Sequence, residues 1–357
     1  MASTKSNHPY TIVLLDAHAV LHRGYHAMQG FATRDGRPTG AIYGLMTMVL
    51  RLYNEIKPDY IAACFDLPKP TFRHTSYDGY KAGRAKTDDA LIDQIKESYK
   101  LCEALSIPVY TCEGFEADDL LGTLSEQIKK DKMFRVVIAS GDMDTLQLVD
   151  KEQVTVFTLK KGNEGVFYTE KKVEERFGFG PEHIPDYKGL AGDTSDNIPG
   201  VKGIGEKGAT GLLQEFGILE NIYAHLSEIK EALRKKLESD RENAFLSKRL
   251  GTIDIAAPVT LHLEDCVTHD FDREKVEALL RSFEFFSLIT KIPSSTQGGG
   301  TEQFLKEGAK KKKHKILKTS DEIEEWIEAH KGRGIAVYVT ETADSLFGNG
   351  IAAIELA

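Results

Sequence analysis

Three short apolar runs in this chain each stop at an aspartate. Residues 11–15 (TIVLL) run directly into Asp16, residues 60–65 (YIAACF) into Asp66, and residues 135–139 (RVVIA) reach Asp142 and Asp144 through Ser-Gly. Runs this short and apolar read as buried strands. One Asp after one strand is unremarkable, because Asp favours turns. A fourth strand is expected at 107–112 (IPVYTC), and helical patterns lie at 40–53, 90–105 and 116–130. Such alternation predicts an α/β fold with a parallel sheet covered by helices. Ligands of open α/β sheets bind beyond the carboxyl ends of the strands. The pattern therefore sends Asp16, Asp66, Asp142 and Asp144 to one edge. The stretch FEADDLL adds Glu116, Asp118 and Asp119 at the start of the helix after the fourth strand. Alone, that crowding suits an acidic first turn facing the helix dipole. Beside four more acids at the same edge, it points to a cation.

The segment GDTSDN contributes Asp193 and Asp196, three apart. The full set is Asp16, Asp66, Glu116, Asp118, Asp119, Asp142, Asp144, Asp193 and Asp196, with no convergent Cys or His. Hard oxygen donors of this kind suit Mg²⁺ or Mn²⁺ rather than Zn²⁺. They exceed what one octahedral ion takes, which implies two ions or one ion with an outer shell. Two ions about 4 Å apart suit in-line phosphodiester hydrolysis, easing ionisation of water and neutralising charge on phosphate and leaving oxygen. Asp142-Met143-Asp144 also fits the D-x-D of sugar-nucleotide transferases. His18, His22 and His26 share a helix face that could hold a metal, although core or solvated histidines are the commoner outcome.

A net charge of −9 speaks against a nucleic-acid partner, unless bound cations invert the local field. Two segments supply positive charge where it would count. Residues 71–86 (TFRHTSYDGYKAGRAK) interleave Arg73, Lys81, Arg84 and Lys86 with Phe72, Tyr77 and Tyr80. Cations for phosphate and rings for bases suit a single strand or splayed nucleotide; the plain alternative is a basic surface helix. Residues 198–213 (IPGVKGIGEKGATGLL) place Gly200, Gly203 and Gly205 in a tight turn before a helix beginning at Glu206. Amides at a helix start bind phosphate without reading sequence, and Lys202 and Lys207 add screened attraction. Arg23 and Tyr25 follow Asp16 closely enough to assist.

Four scattered Cys without C-x-x-C spacing suit a reducing cytoplasm. No apolar run approaches membrane-spanning length, and MASTKSNHPY lacks the apolar core of a signal peptide. Residues 154–159 and 166–168 read as a hairpin, and 181–286 as largely helical. Residues 293–300 (PSSTQGGG) read as a linker, and 306–318 as a solvated basic run. A strand–helix–strand pattern follows from 315 and stops at Ala357, short of a complete domain. The expected division is 9–180 for the core, 181–292 for a helical subdomain, 293–314 for a linker and 315–357 for the start of another domain.

In order, LLDAHAVLHRGYHA, FDLPKPTFRHTSYDGYKAGR, EGFEADDLLGTL, SGDMDTLQLV and GDTSDNIPGVKGIGEKGA resemble the structure-specific 5′ nucleases of the flap endonuclease family. The match is with the 5′→3′ exonuclease domains that open bacterial DNA polymerases I, over roughly residues 9–292. The resemblance implies a PIN-like core with a helical arch, then a helix–hairpin–helix subdomain that grips duplex DNA, often with K⁺. It implies a Mg²⁺-dependent nuclease, Mn²⁺ substituting, with a metal-activated water as nucleophile. The expected partners are DNA with a 5′ flap, nick or RNA primer, met by a monomer in the bacterial cytoplasm during replication and repair. By the resemblance Asp118, Asp119, Asp142 and Glu116 hold the catalytic ion, and Asp144, Asp193 and Asp196 the second. Asp16 and Asp66 complete the first site or order its waters. Lys81 and Arg84 contact the scissile phosphate, Tyr80 matches an arch aromatic, and Gly203 and Gly205 fall on the hairpin.

The chain departs from that family at Ala17 for Gly, Met143 for Lys or Arg, Gly83 for Asn or His, the missing Pro after Arg84, and Gly208 for Thr. None removes a metal ligand; they bear on rate and substrate grip. Residues 335–346 (IAVYVTETADSL) resemble the first strand of a 3′→5′ exonuclease domain, with Val339 at the Asp of its D-x-E and Glu341 retained. A longer version is expected to lack proofreading, and no polymerase motif lies in the chain. Two other classes remain: a flap-binding module whose acids hold a structural ion, and a PIN-type ribonuclease without need of the hairpin.

Overall fold

The computed structural model describes residues 9–84, 86–151, 153–159, 164–268 and 271–293, and two strands at 337–341 and 351–356. Its contacts divide the chain into residues 1–301 and residues 302–357.

In the first unit a six-stranded sheet runs in the order β3-β2-β1-β4-β5-β6. β1 (Tyr10–Asp16) lies between β2 (Tyr60–Cys64) and β4 (Phe134–Ala139), parallel to both. β5 (Val154–Leu159) continues the parallel set, and β6 (Gly165–Tyr168) turns back antiparallel as the expected hairpin. β1 is apolar from Ile12 to Leu15 because both faces are covered there. Ile12 and Leu14 enter one core, Val13 and Leu15 the other. β3 (Val109–Tyr110) is shorter than the 107–112 run suggests. Pro108 has no N–H for a ladder; its carbonyl accepts from the amide of Ala63 at 2.9 Å, so pairing survives only at this sheet edge.

One face is covered by α1 (Ala17–Ala27), α2 (Gly40–Arg51), α4 (Asp89–Ala104) and α12 (Arg273–Ser282). α2 passes into a π-turn over Leu52–Ile56, closed by Lys57 at φ 51°. The other face takes α5 (Ala117–Lys129), whose Ala117, Leu120, Leu121, Leu124 and Ile128 form one apolar stripe. Each buried Leu or Ile of that stripe contributes about 1.5–3 kcal/mol. α3 (Phe72–Ser76) precedes turns over 77–84, where a helical arch was expected. Gly79 and Gly83 in that stretch disfavour helix.

The helical part comprises α6 (Glu170–Phe177), α7 (Ile184–Ala191), α8 (Glu206–Phe216), α9 (Leu219–Ala224), α10 (Glu231–Ser239) and α11 (Arg241–Gly251). After α11 the chain lies extended along α5. The amide of Ala257 donates to Thr123 Oγ1 at 3.0 Å, and that of Leu261 to Gln127 Oε1 at 2.9 Å. The strap ties the helical part to the sheet and fixes the cleft between them. α13 (Phe286–Ile289) ends this unit. In the second unit β7 (Val337–Glu341) pairs antiparallel with β8 (Ile351–Leu356). The expected linker from 294, the basic run, and the strand and helix after 315 lie outside the described residues.

Candidate active site

A cleft of about 950 Å³ opens at the carboxyl ends of β1, β2 and β4. Eight of the nine acids line it: Asp16, Asp66, Glu116, Asp118, Asp142, Asp144, Asp193 and Asp196. Asp16 ends β1 and caps α1, accepting from the amide of Ala19 at 2.9 Å. Its other oxygen accepts from Ser140 Oγ at 2.5 Å. Ser140 Oγ accepts in turn from the amide of Asp142 at 2.9 Å, and Asp142 Oδ1 from the amide of Asp144 at 2.9 Å. Asp66 accepts from the amide of Ala117 at 2.5 Å, locking the end of β2 to the start of α5. Short bonds from strand ends and helix starts thus hold the acids along the cleft.

The acids divide electrostatically into two groups. Among the described residues no Lys or Arg forms an ion pair with Asp16, Asp66, Asp118 or Asp142, and Asp66 faces only His18, at 3.5 Å. Burial first, then Asp142 and Asp66, push the Asp16 carboxyl up to about 7. Desolvation, with Asp16 and Asp142 next, drives Asp118 well above the carboxylate range. Ionised groups so placed cost several kcal/mol each unless a cation joins them, and a hard divalent ion fits their oxygen chemistry. Among the described residues no three His, Cys, Asp or Glu side chains already converge on one point as metal ligands.

The outer acids are neutralised by the chain itself. Lys188 of α7 reaches Asp193 at 2.9 Å and also bonds Asp144. Lys81 bonds Glu116 at 2.8 Å and lies 3.9 Å from Asp196; Arg84 bonds Asp196. Burial alone would raise Asp193, but Lys188 and Ser195 outweigh it and hold the group at about 2. For Asp144 burial wins over Lys188, leaving it at about 6.

Four expected site residues are placed differently. Asp119 does not line the cleft and is fully buried. Its oxygens accept two 2.7 Å bonds from Arg73 and the amides of Asp254 and Glu116, at 2.8 and 3.0 Å. These four bonds tie the start of α5 to Arg73 and to the segment after α11. Arg73, expected on DNA, is 3 % exposed and also donates to the carbonyls of Leu250 and Thr252. Tyr80, expected to stack on bases, is 3 % exposed, its hydroxyl donating to Glu116 and Asp196 at 3.1 Å each. Arg23 is exposed beside the cleft, not in it; it bonds Thr158 Oγ1 at 3.1 Å and the carbonyl of Leu159.

Lys81, Arg84 and Lys86 do line the cleft. The turn carrying Lys81 and Arg84 is latched to the opposite wall. The amide of Lys81 donates to the carbonyl of Asp196 at 2.9 Å, and Asn197 Nδ2 to that of Gly79 at 2.7 Å. His18, His22 and His26 also line the cleft, with 4.6 Å between the first two rings. Burial and then His18 lower His22 to about 4, leaving it neutral. Met143 sits on the wall with no charge, and Gly83 has open space around it. Sequence reasoning missed Lys188 and Ser140. The signal for Lys188 was a lone cation on the helix IPDYKGLA, five residues before Asp193.

Beyond the cleft, α7, the loop 192–205 and α8 form a helix–hairpin–helix arrangement. Gly200 has φ 61°, and a Cβ there would lie 2.3 Å from the amide nitrogen of Gly192. Conformation and space both require glycine. Gly205 is the N-cap of α8. Lys202 and Lys207 are exposed. The carbonyl of Gly203, where K⁺ was expected nearby, accepts from Lys236 Nζ at 2.8 Å.

Two family profiles match end to end: the 5′-3′ exonuclease N-terminal resolvase-like domain over residues 11–178, and the 5′-3′ exonuclease C-terminal SAM fold over 179–274. DNA polymerase I of Caldicellulosiruptor bescii is 41% identical over 283 residues, covering 79% of this chain and 33% of that protein. DNA polymerase I of Bacillus caldotenax is 42% identical over 285 residues, covering 79% and 32%. The chain thus spans about a third of the length of these relatives. The flap endonuclease of bacteriophage T5, solved as a pseudo-enzyme–product complex with DNA and metal ions, shares the fold. Its TM-score is 0.56 at 22% identity, over 69% of this chain and 89% of that one.

Proposed function

The chain belongs to the 5′-3′ exonuclease family, and from that premise we propose a Mg²⁺-dependent, structure-specific 5′ nuclease, with Mn²⁺ as substitute. It cuts DNA flaps and removes RNA primers or damaged 5′ ends during replication and repair, as a monomer in the bacterial cytoplasm. The observation that carries this reading is the cleft itself. Acids from three strand ends and from both halves of the first unit line it, and among the described residues no Lys or Arg pairs with the inner ones.

Asp16, Asp66, Asp118 and Asp142 would hold the inner ion, with Glu116 at its edge; Asp144, Asp193 and Asp196 would hold the outer one. When bound, such ions supply Lewis-acid chemistry for attack of water on a phosphodiester. The chain's own residues do the rest. Ser140 and the amides of Ala19 and Ala117 fix the carboxylates of Asp16 and Asp66. Lys81 and Arg84 stand on the cleft wall, where cations stabilise charge growing on a phosphate. Gly200 lets the hairpin fold, while Lys202, Lys207 and the amides opening α8 grip a duplex backbone without reading bases. Their place outside the cleft suits a substrate recognised by shape, a duplex with a free 5′ strand.

The test is a labelled 5′-flap duplex incubated with Mg²⁺ or with EDTA. Cleavage in Mg²⁺ alone, with binding retained in EDTA, is expected; Asp142→Ala should bind but not cut. Binding with no products in Mg²⁺ would mean a passive DNA module, and cleavage of unstructured RNA in preference to the flap would mean a ribonuclease.

A further inference from the structure

The outer half of the cleft already contains a cation, and it is covalently part of the chain. Lys188 leaves α7 with its stem pressed against Gly251 at the end of α11, where an added Cβ would come within 2.7 Å of Lys188 Cδ. Its ammonium is delivered between Asp144 and Asp193, and its side chain is 7 % exposed. These two carboxylates come from different parts of the fold, one following β4 and one following α7. Asp16, Asp118 and Asp142 have no such partner among the described residues.

An ammonium and a divalent ion compete for the same oxygen lone pairs. We infer that Lys188 is a resident counter-ion that makes ion loading sequential: the inner acids fill first, and an outer ion enters only by displacing its ammonium from Asp144 and Asp193. The cost of that displacement is the loss of two charge-assisted bonds made in a largely dry site, which are stronger than exposed pairs. Gly251 matters because a side chain there would block the path of the lysine stem. The inference rests on the proposed nuclease reading only in that the cleft takes divalent ions.

The test uses the full chain without DNA, titrated with Mn²⁺ while free ion is counted by electron paramagnetic resonance. One tight ion and a second at least about tenfold weaker are expected. Lys188→Met keeps the apolar stem and should tighten the second ion by about tenfold or more, whereas Lys188→Arg should keep the native order. Two equally tight ions in the unaltered protein, or a second ion unmoved by Lys188→Met, overturn the inference. Thermal melts establish that the variants fold. A second readout needs no variant: acetic anhydride labelling of Lys188, read by mass spectrometry, should rise as the second ion binds. Labelling that stays constant through saturation also overturns it. No bound Mn²⁺ in any form would instead sink the metal-dependent reading.

Discussion

The guanidinium of Arg73 meets Asp119 through two bonds of 2.7 Å, and at most 3 % of either side chain reaches solvent. The pair joins the start of α5 to the end of α11 and the residue after it, since Arg73 also holds the carbonyls of Leu250 and Thr252. An acid beside Asp118 in the sequence is thus a structural tie, while Asp118 lines the cleft.

Breaking a buried pair from one side typically costs about 3–5 kcal/mol, because the other charge is stranded. Asp119→Ala should lose stability on that scale in urea unfolding, while the protein that still folds keeps its tight Mn²⁺. Asp118→Asn should do the reverse: the ion is lost and the metal-free fold is at least as stable, because repulsion with Asp16 and Asp142 is relieved. Loss of the ion in Asp119→Ala at unchanged stability would restore Asp119 as a ligand.

Asp16 predicts a pH dependence whose sign is unusual for a carboxylate. Its folded-state value of about 7 lies above the ordinary 3.8, so the folded protein binds the proton more tightly. The resulting stability is fully present below about pH 4 and is lost as pH rises through about 7. Each pH unit crossed in that window removes up to about 1.4 kcal/mol. His22 works the other way, since its lowered value makes the fold prefer neutral imidazole. The clean measurement is therefore the difference between the native protein and Asp16→Asn in EDTA. Asp16→Asn should gain relative stability from about pH 4 to about pH 7 and then level off. A flat difference would mean that Asp16 is not held in a proton-retaining environment.

How far the sequence disclosed the site follows from what each signal encodes. Strand ends were readable at Asp16, Asp66 and Asp142, because a buried parallel strand is a continuous apolar run and its end is where polarity returns. Position along a helix was not enough for Asp118 and Asp119. Adjacent residues point about 100° apart, and which of them meets the cleft depends on how α5 docks. The charges of residues 71–86 were visible, but their destinations were not. Arg73 and Tyr80 were drawn inward by carboxylates far away in sequence, and the two glycines favoured turns over an arch. Lys188 stayed hidden because a lysine on a helix is nearly always solvated, and its burial depends on contact between α7 and α11.

The hairpin prediction is thermodynamic. Lys202 and Lys207 are exposed on either side of the start of α8, so they suit phosphate contacts rather than base readout. Replacing either with Ala should weaken duplex binding similarly for all sequences and lower the slope of log K against log salt by about 1. Turnover of bound flap should change little. An unchanged salt slope in both variants would place the duplex elsewhere. Lys236→Met tests the expected K⁺ at the same loop. With the ammonium removed from the carbonyl of Gly203, duplex affinity should become dependent on K⁺, measured against tetramethylammonium at constant ionic strength.

Tyr80 separates two roles that its family position alone would confuse. A ring that stacks on an unpaired base is fully replaced by phenylalanine and badly replaced by alanine, with about 1–3 kcal/mol per base at stake in single-strand affinity. In this fold the ring is covered by His74, Ile198 and Leu250, and the hydroxyl donates to both Glu116 and Asp196. Tyr80→Phe should therefore already cost about 1–3 kcal/mol in unfolding, the usual scale for bonds lost to charged acceptors. It should also loosen the latch between residues 79–84 and 195–197, making that backbone exchange amide hydrogen faster. Single-strand affinity should be nearly unchanged in Tyr80→Phe. A phenylalanine variant of native stability, with affinity lost only in Tyr80→Ala, would return the ring to the substrate.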